Sequence, residues 1–187
     1  MAARAEAVAA TADRILDAAA EVFWERPAEQ VSLDEVARRA GVTRQTVIRR
    51  FGGRDGLLAA AAEREVATVT RERTAPTGDT GAAVAVLVEH YEKYGDRVLR
   101  MLAAETAVPG VADLVEAGRA VHRDWCATAF APALIGLRGA TRRRRMAQLV
   151  AVCDVSTWHL LRRVGGLSRR ETERALAELL APITEGA

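Results

Sequence analysis

Aromatic residues make up 4% of this 187-residue chain, and it holds only two cysteines. Cys126 and Cys153 are far apart in apolar surroundings, which excludes a disulfide framework or a cysteine-based zinc site. His90, His122 and His159 do not fall at metal-ligand spacing, so no metal and no cofactor is expected. No apolar run reaches the roughly 20 residues that a membrane-spanning helix needs, so no membrane partner is expected. The opening MAARAEAVAATADR lacks the long apolar stretch of a secretory leader, so a cytoplasmic location is expected. There is no internal repeat, no segment alternates as a strand, and no nucleophile–base pair or phosphate-cradling loop occurs. An enzyme is not expected.

Half of the residues are hydrophobic, much of that content being alanine, the best helix former. A buried core and an all-α fold follow. Ile15, Ala18, Ala19, Val22 and Phe23 share one face of a helix over Thr11–Arg26, which Pro27 closes. Ser32 and Glu35 form a capping box for a helix ending at Ala40, and Gly41 supplies the left-handed turn. Thr43 caps a third helix, from Arg44 to Phe51, which Gly52 and Gly53 stop. A fourth runs from Asp55 into Thr74, followed by the loop 74–81. Beyond it, Val84–Tyr91 marks one helix, Val98–Leu102 a shorter one, and Leu114, Val121 and Trp125 a longer one that fades near Pro132. Thr141–Val164 reads as one long helix, and a capping box at Ser168 and Glu171 opens a last helix that Pro182 ends.

Net charge is only +2, but its distribution is uneven. Residues 5–35 carry eight acids, whereas Arg38 to Arg54 contains none and holds Arg38, Arg39, Arg44, Arg49, Arg50 and Arg54. Such a segment is either a solvated basic face or a phosphate-contacting one. The surrounding pattern favours the second. Two short helices meet at Gly41, the small Ala37 allows close approach, and the second helix is arginine-rich, as in a helix-turn-helix. Burying Val47 and Phe51 leaves Arg44, Gln45, Thr46, Ile48 and Arg49 outward. Arg44 suits guanine and Gln45 adenine, and Thr46 suits either a thymine methyl or a phosphate. Thr43, Arg49, Arg50 and Arg54 complete the expected DNA-binding set, the arginines on phosphate oxygens. The amides after Gly53 suit a further phosphate.

The run AGVTRQTVIRRFGGRDGLLAA resembles the tetracycline-repressor (TetR) family through Gly41, Thr46, Phe51, Arg54, Asp55, Leu57 and Leu58. Two positions depart from it: Ile48 stands where the family usually has a phosphate-contacting tyrosine, and Gly52-Gly53 replaces the commoner proline-serine. The C-terminal run WHLLRRVGGLSRRETERALAELL is also similar to this family.

The resemblance implies an N-terminal three-helix helix-turn-helix domain (1–54) and a C-terminal helical ligand-binding and dimerisation domain (55–187). It implies a homodimer on a palindromic operator in double-stranded DNA. The dimer would be a four-helix bundle built from the last two long helices, through Leu149, Val152, Leu160, Leu161, Leu176, Leu179 and Leu180. It also implies a pocket for an apolar or amphipathic effector among the middle helices, for which Tyr91, Met101, His122, Trp125, Cys153 and Trp158 are the candidates. Redox sensing through the cysteines is not expected, since neither has a clustered basic partner close in sequence. Arg142–Arg145 reads as a solvated face. The function expected is a transcriptional repressor released by its ligand. The alternatives are a regulator whose C-terminal domain only dimerises or binds protein, and an architectural protein without operator choice.

Overall fold

The computed structural model describes residues 2–25, 32–106 and 111–185, apart from the side chains of residues 2–5, 23 and 24. Among the described residues every regular element is helical, as the composition predicts. The chain divides into two compact units, Met1–Ala67 with Ala104–Leu114, and Thr68–Ala103 with Val115–Ala187.

In the first unit, α1 spans Ala2–Glu25, nine residues earlier at its start than the apolar face alone predicts, because the alanine-rich lead-in continues the helix. The end predicted at Arg26 and Pro27, and the side chain of Phe23, lie outside the described residues. α2 covers Leu33–Ala40, and the Ser32 hydroxyl accepts the Glu35 amide at 3.1 Å. Gly41 closes α2 in the left-handed region (φ 66°), a conformation that a Cβ would strain. α3 covers Arg44–Phe51, capped by Thr43, whose hydroxyl accepts the Thr46 amide at 3.2 Å. α4 runs Arg54–Glu72, so it begins in the first unit and ends in the second. Ile15, Ala19 and Val22 of α1, Val36 and Ala37 of α2, Val47 of α3 and Leu57 of α4 form one closed core. Each fully buried branched side chain contributes about 1.5–3 kcal/mol before entropy is subtracted. Gly56 lets α4 start hard against α3, since a Cβ there would overlap the Phe51 carbonyl oxygen.

In the second unit, α5 is a single helix, Thr80–Ala103, where the sequence suggests two. Gly95 does not break it. It is buried, and a Cβ there would sit 2.5 Å from Cζ3 of Trp158, so its smallness admits the indole. α6 spans Val111–Ala129 and passes through a short 3-10 turn at Ala131–Leu134. The long helix expected over 141–164 is divided. α7 ends at Val152, Asp154 caps a new start by accepting the Ser156 amide at 2.8 Å, α8 covers Val155–His159, and a π turn follows over Leu160–Val164. α9, Arg169–Thr184, opens with the predicted capping box and carries Pro182 inside its last turn rather than stopping there. The buried core of this unit includes Val84, Leu87, Tyr91, Cys126, Phe130, Leu149, Cys153, Trp158, Leu176 and Leu180. No described helix is long and apolar enough to cross a membrane.

Candidate nucleic-acid interface

The acid-free arginine segment is not electrostatically uniform once folded. Arg38 grips the Glu35 carboxylate with two donors, at 2.7 and 3.0 Å, and Arg39 Nε adds a third at 2.9 Å. Arg39 also binds Glu25 through two donors, at 2.9 and 2.5 Å. These hydrogen bonds, Arg38's foremost and then Arg39's, hold the Glu35 carboxyl down to about 2. Arg38 and Arg39 therefore spend their charge on acids of the same unit, and Arg39 ties the end of α1 to α2. Arg14 of α1 donates to the Ala40 carbonyl at 3.4 Å, while Arg64 of α4 reaches the Asp13 carbonyl at 3.1 Å and Asp17 at 2.6 Å. The contacts of Arg39 with Glu25, of Arg14 and of Arg64 are not visible in sequence, because their partners are 14 to 51 residues apart.

α3 is held by Val47, fully buried, and by the half-buried Phe51 one turn on. At about 100° per residue, Gln45 and Arg49 point away from that pair. Both are exposed, with half-buried Thr46 beside them. Arg44 and half-buried Ile48 flank this stripe on one side, and exposed Arg50 on the other. Thr43 and Thr46 bond to each other through their hydroxyls at 2.9 Å, which fixes both at the start of the helix. Arg44 Nε stands 3.8 Å from Asp34 Oδ1, a loose exposed pair that an anion could displace, and half-buried Arg54 has its Nη1 3.9 Å from Asp55 Oδ1. Arg49 and Arg50 have no ion pair among the described residues. The arrangement is a cationic, hydrogen-bonding ridge on one short rigid helix.

The candidate ligand-binding residues lie elsewhere. Tyr91 is buried and donates to the Cys153 carbonyl at 3.0 Å. His122 stacks on Trp125 with ring centres 6.2 Å apart, and the Tyr91 and Trp158 rings are 5.8 Å apart. Tyr91, Trp125, Cys153 and Trp158 join one core cluster, whereas Met101 is half-buried outside it. Sequence reasoning missed two members of this cluster. Cys126 lies with its Sγ 3.8 Å from His122 Nε2, and Arg73 is buried with its Nη2 3.1 Å from His122 Nδ1. Cys126 thus has a basic neighbour close in sequence after all, His122 one turn earlier on α6, and Arg73, just past the end of α4, reaches the same imidazole. The hydrogen bond with Cys153, and then His122 and Arg73, draws the Cys126 thiol below its ordinary range, while the same bond and burial push that of Cys153 up. Among the described residues no three metal-ligating side chains cluster. Arg142, Arg143 and Arg144 are exposed, while half-buried Arg145 donates to the Ile183 carbonyl.

A short capped helix after a left-handed glycine, set on a small apolar core and followed by a separate helical unit, defines an all-α helix-turn-helix protein. Residues 15–61 match the model of the family described as bacterial regulatory proteins, tetR family. The likeness is to that family's N-terminal segment and spans residues 15–61 of this chain. It is 41% identical over 61 residues to an uncharacterized HTH-type transcriptional regulator of Mycobacterium tuberculosis, a match covering 33% of this chain and 30% of that one. A transcriptional regulator from Rhodococcus sp. Rha1 shares the fold over 94% of this chain and 97% of its own, with a TM-score of 0.67 and 22% identity. The transcriptional regulator FadR from Bacillus subtilis, in complex with stearoyl-CoA, does so over 93% and 98%, with a TM-score of 0.63 and 14% identity.

Proposed function

We propose that this protein is a sequence-specific DNA-binding repressor that acts as a homodimer in the cytoplasm and is released from a palindromic operator by a small-molecule effector. The observation that carries this reading is the exposed face of α3. Gln45 and Arg49 lead it, Thr43, Arg44, Thr46, Ile48 and Arg50 surround it, and Arg54 stands at the start of α4. Arg44 and Gln45 sit at the N-terminal end of the helix, where a recognition helix meets base edges. Arg49, Arg50 and Arg54 suit phosphates.

One such helix contacts too few bases for useful affinity, and two set about 34 Å apart read successive major grooves. A second copy is favoured by Leu160, Val164 and Leu179, large apolar side chains 61%, 68% and 46% exposed on the π turn and on α9. These elements pack together, and monomers seldom leave such a group in water. Residues 1–54 then serve DNA binding, and 55–187 ligand binding and dimerisation. The similarity in fold to FadR in complex with stearoyl-CoA supports a ligand-responsive C-terminal unit. An effector acts only through its different affinity for the DNA-bound and released states. The reading includes no catalysis.

Selection from a random duplex library at physiological salt tests the proposal. An enriched palindrome with half-sites one helical turn apart is expected. Equal recovery of all sequences with steep salt dependence would instead identify an architectural binder.

A further inference from the structure

Arg73 is 4% exposed, yet among the described residues no carboxylate lies within ion-pair distance of it. Its Nη2 donates to His122 Nδ1 at 3.1 Å, and its Nε–H is buried without any acceptor. Its guanidinium carbon lies 4.2 Å from the centre of the Trp125 ring and 5.8 Å from that of Tyr91, and Trp125 Nε1 donates to the Arg73 carbonyl at 2.6 Å. A guanidinium is always charged and carries five donors, and a buried cation is costly unless it is paired. Aromatic faces offset part of that cost, but they cannot accept the free Nε–H.

The cage has a neighbouring opening. Because arginine can only donate, His122 accepts at Nδ1, and its Nε2 donates to the Val150 carbonyl at 3.3 Å. Val150 and Met146 line an open groove of about 740 Å³ that also bears Arg123, Arg142 and Arg143. His122 and Val150 therefore stand between the guanidinium and this groove, whose lining carries Asp154 beside the three arginines. Arg123 is partly committed to Glu116 at 3.0 Å, and Arg142 donates to the Leu134 carbonyl at 3.2 Å. Arg143 remains exposed at the edge.

We propose that Arg73 is the anion anchor of an effector site in this unit, and that the effector is an organic carboxylate with an apolar aryl or alkyl body. Its carboxylate pairs with the guanidinium behind His122, and its body lies along the groove. The planar fork of arginine matches a carboxylate with two parallel hydrogen bonds, one of which takes the orphaned Nε–H. One buried cation balances one negative charge, which favours a monoanion over a doubly charged phosphate. This deepens the ligand-responsive reading of the previous section and rests on it only for the consequence at the operator.

The test is thermal melting and titration calorimetry of the full chain with octanoate and benzoate, each against its own alcohol, 1-octanol and benzyl alcohol. At least one carboxylate is expected to raise the Tm and to bind ten-fold or more tightly than its alcohol. Arg73→Met should abolish that difference without melting below the ligand-free wild type, since it removes an unpaired buried charge. Arg73→Lys, which keeps the charge and loses the fork, should retain a weakened preference, and it carries the comparison if Arg73→Met does not fold. Equal effects of acid and alcohol, an undiminished effect in Arg73→Met, or no response to either carboxylate would overturn the proposal. Because these measurements need no DNA, carboxylate binding without operator release would leave the site standing and refute only the repressor's ligand response.

Discussion

His90 makes the second unit lose stability in mild acid, and the size of the loss can be worked out. The side chain is 6% exposed, lies 5.0 Å from the Tyr94 ring and 5.6 Å from that of Tyr91, and its Nδ1 has no hydrogen-bond partner. Burial foremost, then the charge of Arg73, holds it down to about 4; Glu72 opposes this, and Lys93 and His122 add to it. The unfolded chain takes up this proton below about 6.5, whereas the native state refuses it until about 4. As pH falls through that interval the unfolded state binds more protons, so stability falls. Linkage puts the loss at about 2 kcal/mol by pH 5 and about 3 kcal/mol by pH 4. Glu72 is held below the ordinary carboxylate range, Lys93's hydrogen bond being the main cause, so its contribution fades only in more acidic solution. Between pH 6.5 and 5 Glu72 is thus silent, while Cys126, its thiol drawn below the ordinary range, loses stabilisation in the same direction, so the comparison with a His90 variant assigns the histidine share. Urea unfolding across that window should show the decline in wild type and a much flatter profile in His90→Gln. Parallel profiles, or an NMR titration of His90 with a midpoint near 6.5, would refute the reasoning.

Gly95→Ala should destabilise the protein by about 1–3 kcal/mol in urea unfolding, because its methyl meets Trp158 in a packed core. Thr43→Ala removes the hydroxyl that caps α3 and should lower stability by about 0.5–2 kcal/mol, with Thr43→Ser largely restoring it. Arg44→Ala should relax preference at one operator position at a cost of about 1–3 kcal/mol in binding, read by competition among single-base variants of the selected site. Arg49→Ala should lower the salt slope of DNA binding by about 1, while Arg39→Ala leaves that slope unchanged and weakens the fold, its charge being taken by Glu25 and Glu35.

The sequence by itself determined the features whose causes are local. Ser32, Gly41, Thr43 and Ser168 act on backbone groups within a few residues, so the starts and stops they dictate survive unchanged in the fold. The buried pair Val47 and Phe51, and hence the outward face of α3, follows from helical spacing alone. Tertiary structure decided whatever depends on partners distant along the chain. The stretches 84–91 and 98–102 read as two helices and are one, with Gly95 between them the seat of an indole 63 residues later, while the apolar run over 141–164 hides a restart capped by Asp154. Among six arginines of like appearance, the pairs of Arg38 and Arg39 with Glu35 are local, but only packing brings Arg39 to Glu25 and leaves Arg49 and Arg50 facing solvent. Arg73 is the sharpest case. It stands just past the end of α4 beside a loop, and only the packing of α5 and α6 makes it a buried cation with no carboxylate partner among the described residues.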